Sequence, residues 1–227
     1  MKILIFGATG MVGQGVLREC LLDPDIEAVR TVGRTATGVR DAKLREIVLP
    51  DLFHYSSVEA ELNGFEACFF CLGVSSAGMS EQQYTNLTYR LTLAAAETLS
   101  RLNPGVTFVY VSGAGTDSPE KGRNMWARVK GQTENAILRL PFKAAYRFRP
   151  GVIQAVHGER SKTAAYRVGY VSAKPMLPLL RFLFPRSILT TEEIGRAMIQ
   201  VAKRGAAKNI LESWDIGDCA RSSAPTQ

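Results

Sequence analysis

Short apolar runs bounded by glycine, proline and polar turn residues alternate with longer segments whose apolar positions recur every three or four residues. The first pattern belongs to strands and the second to helices. The runs predict strands at Lys2 to Phe6, Ala28 to Val32, Arg45 to Leu49, Ala67 to Leu72, Val106 to Val111 and Ala144 to Phe148, with a short last one near Ile210. Helical periodicity falls at Met11 to Leu22, near Val58 to Leu62, at Glu81 to Leu102 and at Met125 to Leu140. Asp23-Pro24 and Asn103-Pro104-Gly105 end two of these helices. Strand and helix in alternation build β-α units around a parallel sheet, so the expected fold class is α/β, a doubly wound parallel sheet.

From Gly158 to Pro185 the rhythm breaks. "KPMLPLLRFLFP", residues 174 to 185, mixes three prolines with large apolar residues and is too short to span a bilayer. Packing on the main core, a cap over a substrate pocket, contact with a bilayer surface and a dimer interface are all open to it, and residues 158 to 190 are taken as a small helical lid or substrate region. A helix then restarts with Thr190 as its N-cap, Glu193 as the capping-box partner, Lys203 and Arg204 in the last turn and Gly205 at the end. The expected organisation is one domain over residues 1 to 216 and a frayed polar tail over 217 to 227.

Composition narrows the function classes. With 227 residues, 46% of them apolar, the chain can bury one sizeable core. No apolar run approaches the roughly 18 residues of a membrane span, and "KILIFGATG" breaks at glycine too early for a secretory core, so the expectation is a soluble cytoplasmic protein. Cys68 and Cys71 stand three apart in a predicted strand, on opposite faces, which suits buried packing better than a dithiol. His54 and His157 have no ligand-spaced companions, so no metal is expected. The formal net charge of +7 hides an asymmetry: residues 1 to 118 carry 9 Lys+Arg against 13 Asp+Glu, and residues 119 to 208 carry 18 against 5. A scattered solvated surface, an anionic substrate or surface and an acidic protein partner could each account for that basic half. Nucleic acid is disfavoured, because no binding motif accompanies the charge.

The most specific stretch is "KILIFGATGMVGQGV". A strand runs into Gly7, Gly10 and Gly13, and a helix follows at once. The first glycine permits the tight turn, the second lets a pyrophosphate approach the backbone, and the third lets helix and strand pack closely. With Thr9, Met11 and Val12 between them, they place helix-terminal amides against negative charge, the dinucleotide-binding form of the Rossmann fold. NAD binders place an acid after the second strand for the ribose hydroxyls; here "VRTVGRTATG" offers Arg34. A guanidinium binds a 2′-phosphate that a carboxylate would repel, so NADP is the expected cofactor.

The chain is similar to atypical members of the short-chain dehydrogenase/reductase superfamily, and most resembles the NmrA-like and Tat-interacting-protein-like branch. "GATGMVG", "VGR" at 32 to 34, "CLGVSSAG" at 71 to 78, "VYVSGAG" at 109 to 115, "VKGQTE" at 129 to 134 and "RPGV" at 149 to 152 carry the likeness. The resemblance implies that Asp51 and Leu52 flank the adenine and that Cys71, Leu72 and Gly73 line the adenosine side. It also implies that Ser112 orients substrate or takes part in catalysis, that Lys130 holds the nicotinamide ribose, and that Pro150, Gly151 and Val152 pass beside the nicotinamide. The departure is Trp126, where the Tyr-x-x-x-Lys motif places tyrosine. The phenol of that motif gives its proton to the substrate oxygen, whereas indole has one N–H that does not ionise usefully near neutrality. Ser112, a water held by Lys130, Tyr166 and Tyr170 are candidate substitutes. The expected activity is an NADP(H)-dependent oxidoreductase with weak or unusual acid chemistry, acting on a small carbonyl, quinone or flavin-like acceptor. The alternatives are a non-catalytic NADP(H) redox sensor working through a partner and a nucleotide-sugar epimerase; a homodimer is compatible with each.

Overall fold

The computed structural model describes residues 1–159 and 188–222. Its strands are β1 (Lys2–Phe6), β2 (Ala28–Gly33), β3 (Leu44–Val48), β4 (Ala67–Phe70), β5 (Thr107–Val111), β6 (Ala144–Arg149), β7 (Val152–Gln154), β8 (Ile188–Thr190) and β9 (Ile210–Glu212). The helices are α1 (Met11–Leu22), α2 (Glu81–Thr85), α3 (Leu91–Leu102), α4 (Met125–Ile137), α5 (Thr191–Arg204) and α6 (Ser213–Arg221). A 3-10 helix at Ser56–Leu62 and a π-turn at Asn86–Arg90, which joins α2 to α3, complete the order. Among the described residues no helix is long and apolar enough to cross a membrane.

Seven strands form one sheet in the order β3-β2-β1-β4-β5-β6-β9, and every pair in it is parallel. The order reverses between β1 and β4, the place where doubly wound folds open a crevice for ligands. Register then decides what meets there. Phe6 pairs with Val32 and Phe70, Phe70 with Tyr110, and Val111 with Phe148. Consequently Gly7, Cys71, Ser112 and Pro150 all leave the sheet along one edge.

Alternation along the strands produces two cores. Ile3, Ile5, Phe69, Val109 and Phe148 bury against residues of α1, α5 and α6, while Leu4, Phe6, Phe70, Phe108 and Tyr110 bury against α3 and the 3-10 helix. In the second core Phe6 stacks on Phe70 at 5.3 Å and Phe108 on Phe142 at 4.8 Å between centroids. Cys68 belongs to the second core and Cys71 packs against the first, and all four cysteines are free thiols.

Six of the strands expected in the main sheet begin at the anticipated residue or within one of it and end within two, because each is a short apolar run closed by turn residues. The capping box at Thr190 and Glu193 forms, and Gly205 ends α5 with φ +75°. The reading missed the pairing of Val152–Gln154 with Ile188–Thr190, since three-residue strands carry too few positions to show a period. It also missed α6, which runs through the first residues assigned to a frayed tail. Tyr166, Tyr170 and the segment from Lys174 to Pro185 lie outside the described residues, as does most of the lid assigned to 158–190.

Part of the charge asymmetry is paired across the fold. Lys203 bonds Asp23 at 2.8 Å and Asp25 at 2.7 Å, Arg196 bonds the buried Glu19 at 3.2 Å, and Arg128 bonds Glu81 at 2.7 Å. The acidic amino-terminal half therefore supplies counter-ions for the basic half where α5 crosses α1 and α4 meets α2.

Helix α4 rests on the loop that leaves β5. The Asp117 amide donates to the Ala127 carbonyl at 3.1 Å, and a Cβ added at Gly131 would sit 1.8 Å from the Asp117 carbonyl oxygen. No rotamer relieves a clash between two backbones. Gly131→Ala is expected to cost about 1–3 kcal/mol of stability and several degrees in Tm, read by thermal and urea unfolding.

Candidate functional site

The glycine loop has the geometry its spacing predicts. Gly7 leaves β1 with φ +79°, and a Cβ there would lie 2.6 Å from the Leu72 amide nitrogen. A Cβ on Gly13 would lie 2.2 Å from the Gly7 carbonyl oxygen, so a side chain at Gly13 would push α1 off the end of β1, and one at Gly7 would strike the chain leaving β4. The Gly10 amide donates to the Gly7 carbonyl at 2.9 Å, and α1 starts at Met11 with no side-chain cap and no acid in its first turn. A helix start built this way leaves its amides and its positive end for an anion, which is what a pyrophosphate requires.

Beside this loop a cavity of about 960 Å³ opens between Thr9 and Gln14 on one side and Thr35 and Thr37 on the other, with Glu159 at its border. Arg34 immediately precedes that wall, is exposed, and makes no ion pair with any described residue. At the end of β4, the Cys71 amide donates to the Phe6 carbonyl at 2.9 Å, which sets Leu72 against Gly7. Gly73 follows directly. Leu52 is buried in the second core, whereas Asp51 is exposed; its carboxylate accepts from His54 Nδ1 at 2.7 Å and from the Phe53 amide at 2.8 Å. Those two bonds, the histidine's first, hold its carboxyl below the usual range. The Pro150 carbonyl accepts from the Ala114 amide at 2.9 Å, and the Gly151 amide donates to Ser213 Oγ at 2.8 Å, which fixes the chain into Val152.

At the end of β5 the outcome is less expected. The Ser112 hydroxyl turns inward and donates to Glu134 Oε1 at 2.5 Å. Glu134 is fully buried and also receives Arg149, with Nε 3.0 Å from Oε1 and Nη2 on Oε2. Arg149 goes on to Ser118 Oγ at 2.5 Å and lies 3.5 Å from Glu212. The hydrogen bond to Glu134 raises the Arg149 pKa still further above its ordinary value. Lys130, one turn before Glu134, donates to the Ser112 carbonyl. Burial lowers its pKa to about 8, with nearby Glu134 acting in the opposite direction. Trp126 is half-buried, its Cη2 3.5 Å from where a Cβ of Gly115 would sit.

The structure thus brings Ser112, Trp126 and Lys130 together around residues 112–115, but it commits the serine hydroxyl to an internal acid. Glu134 and Arg149 went unrecognised in the sequence. Their signals were a glutamate at i+4 from Lys130 on one helical face and an arginine ending β6 just before Pro150; neither reveals burial. His157 does acquire companions, Glu19 and Glu192, with ligand atoms within 4.8 Å of one another. Arg196 bonds both carboxylates, at 3.2 Å and 2.6 Å, and Arg18 also pairs with Glu19, so the trio forms part of the α1–α5 charge pairing.

No family model matches the chain. It is 28% identical over 213 residues to Protein FMP52-2, mitochondrial, of Scheffersomyces stipitis, covering 92% of this chain and 88% of that one. It is 30% identical over 170 residues to Protein fmp52, mitochondrial, of Emericella nidulans, covering 72% and 71%. Among solved structures it resembles the Bordetella bronchiseptica enzyme WbmF in complex with NAD+, with TM-score 0.68, 15% identity, and 97% of this chain and 76% of that one covered. It likewise resembles Gre2 of Candida albicans in complex with NADPH, with TM-score 0.69, 13% identity, and 93% and 77% covered. At these identities the likeness to solved structures establishes the Rossmann-type fold. The narrower likeness to the NmrA-like branch has no counterpart among these proteins. The cytoplasmic expectation is overturned: the relatives are named as mitochondrial. It rested on the lack of a membrane-length apolar run and of a secretory core, and neither absence separates the cytoplasm from the interior of an organelle.

Two measurements check the electrostatics of this site. Glu134→Leu leaves Arg149 buried without its carboxylate and is expected to cost about 3–5 kcal/mol, whereas Glu134→Leu with Arg149→Met costs less than the two singles together; urea unfolding of the three variants reads the difference. Lys130 carries a folded-state pKa below its unfolded value, so between about pH 8 and the ordinary lysine range the unfolded chain binds more protons. Stability should therefore rise with pH across that window more steeply in the wild type than in Lys130→Met.

Proposed function

The chain belongs to the FMP52 family, and from that premise and the geometry of the sheet edge we propose that it is an NADP(H)-binding oxidoreductase. The observation that carries the reading is the uncapped start of α1 behind Gly7 and Gly13, where added Cβ atoms would fill the space against Leu72 and the loop itself. Those residues suit a dinucleotide pyrophosphate. Met11, Val12 and Gly13 would present amides to it, and Arg34 with Thr35 would take the adenosine 2′-phosphate. Cys71 to Gly73 and Leu52 would bound the adenosine, and Lys130 with Pro150 to Val152 would face the nicotinamide ribose and ring.

Bound in this way, the cofactor supplies a hydride at the edge where β5 and β6 end. Trp126 donates a hydrogen bond at most, and Ser112 spends its proton on Glu134. Of the small carbonyl, quinone or flavin-like acceptors, the reading favours quinones and flavins, whose reduced anions are weakly basic and can take their proton from water, over carbonyls, whose alkoxide needs a donor at the oxygen. A second reading, a redox sensor that binds NADP(H) and signals through a protein partner, draws support from the same two facts, since they remove the usual acid and its serine from the cleft. Its docking face would have to use the exposed cations left outside the internal pairs, such as Lys121, Arg123, Arg139 and Lys143.

Fluorescence titration with NADPH and NADH, followed by NADPH oxidation against quinones, flavins and aldehydes, separates the readings. Turnover supports the oxidoreductase, and stoichiometric binding without turnover supports the sensor. Arg34→Glu is expected to weaken NADPH binding roughly ten- to a hundredfold and leave NADH binding nearly unchanged, as removal of one or two charge-assisted hydrogen bonds implies; equal loss for both cofactors would count against the 2′-phosphate assignment.

A further inference from the structure

The residues gathered around the loop after β5 differ in what protons they can release. Ser112 Oγ is directed to Glu134 and is 5% exposed as a residue. The indole of Trp126 lies along Gly115 and carries an N–H that stays on nitrogen in water. Lys130 Nζ, on a part-buried side chain, donates to the Ser112 carbonyl and stands 3.7 Å from where a Cβ of Gly113 would be. Gly113 has no side chain to cover it. An ammonium has three N–H bonds, and the carbonyl uses one. Glu134, the carboxylate of the same helical face, is held by Arg149 from β6 and Ser112 from β5, so it is already engaged and does not tie down the lysine. Tyr110 of β5 lies behind it with its phenol pushed well above the ordinary range by burial, and stays neutral.

We propose that Lys130 Nζ is the proton donor of this site, taking over directly the step that the Tyr-x-x-x-Lys arrangement gives to its phenol. The inference rests on the oxidoreductase reading. A reduced nicotinamide supplies the hydride to the acceptor carbon, and the acceptor oxygen takes a proton from Lys130. The Nζ–H bond breaks, an O–H bond forms, the bonding pair stays on nitrogen, and the neutral amine regains a proton from solvent. Burial favours this exchange, because it makes the ammonium a stronger acid than an ordinary lysine while leaving it mostly protonated at neutral pH.

The experiment compares wild type, Lys130→Met and Lys130→Arg in NADPH oxidation with the acceptors that are turned over, beside NADPH affinity by fluorescence and ¹⁵N-lysine NMR of the cofactor-free protein. Wild-type kcat should fall above about pH 8, and one Nζ resonance, missing from the Lys130→Met spectrum, should titrate near the same value. Lys130→Met should lose about 100- to 10,000-fold in kcat, and Lys130→Arg, which keeps the charge but cannot release a proton, should not restore it. Near wild-type kcat in Lys130→Arg, or an Nζ that titrates as an ordinary lysine, overturns this inference alone. Binding of NADPH with no turnover of any acceptor overturns the oxidoreductase reading and this inference with it.

Discussion

The carboxylate of Glu134, closed off from water, is the constraint on which the carboxyl edge depends. An isolated buried charge is too costly to keep, so its two oxygens must be fully engaged, and they are, by Ser112 at the end of β5 and Arg149 at the end of β6. Arg149 extends the tie to Ser118 and toward Glu212 at the end of β9. Three strand ends and α4 are thus tied together by one arginine and its two carboxylates. A hydrophobic plug of equal volume could match its stability, but it would not set the direction of the Ser112 carbonyl, to which Lys130 is bonded.

A second set of charges does for the helices what Glu134 does for the strands. Glu19, Asp23 and Asp25 belong to α1 and the turn after it, and Arg196 and Lys203 belong to α5, far away in sequence. Their pairing gives two cations of the basic carboxyl-terminal half a partner inside the fold. Exposed pairs of this kind contribute little each, but Glu19 is buried, and its arginine is a condition of burying it.

Chemistry at the cleft follows from the same economy of protons. Where the superfamily pattern would have a serine, a tyrosine and a lysine sharing one substrate oxygen, this fold withdraws the serine into the interior and replaces the phenol by indole. What is left facing the loop is an amine whose environment, rather than its type, sets its acidity. Gly113 and Gly115 matter here because the loop takes positive φ at both, +146° and +82°, angles that favour glycine.

Much of this protein could be read along the chain. Lys2–Phe6, Gly7, Gly10, Gly13 and Met11–Leu22 follow one another in sequence, so the anion-binding turn is a local property; so is the capping box of Thr190 and Glu193, and so is the loss of the phenol at Trp126. These features are settled by spacing and residue type, which backbone sterics and hydrogen-bond geometry translate directly into shape. The direction of the Ser112 hydroxyl, the burial of Glu134, the acidity of Lys130 and the pairing of Glu19 with Arg196 are of another kind. Each depends on which residues from distant segments exclude water from a group, and solvent exclusion exists only once β5, β6, α1, α4 and α5 have packed.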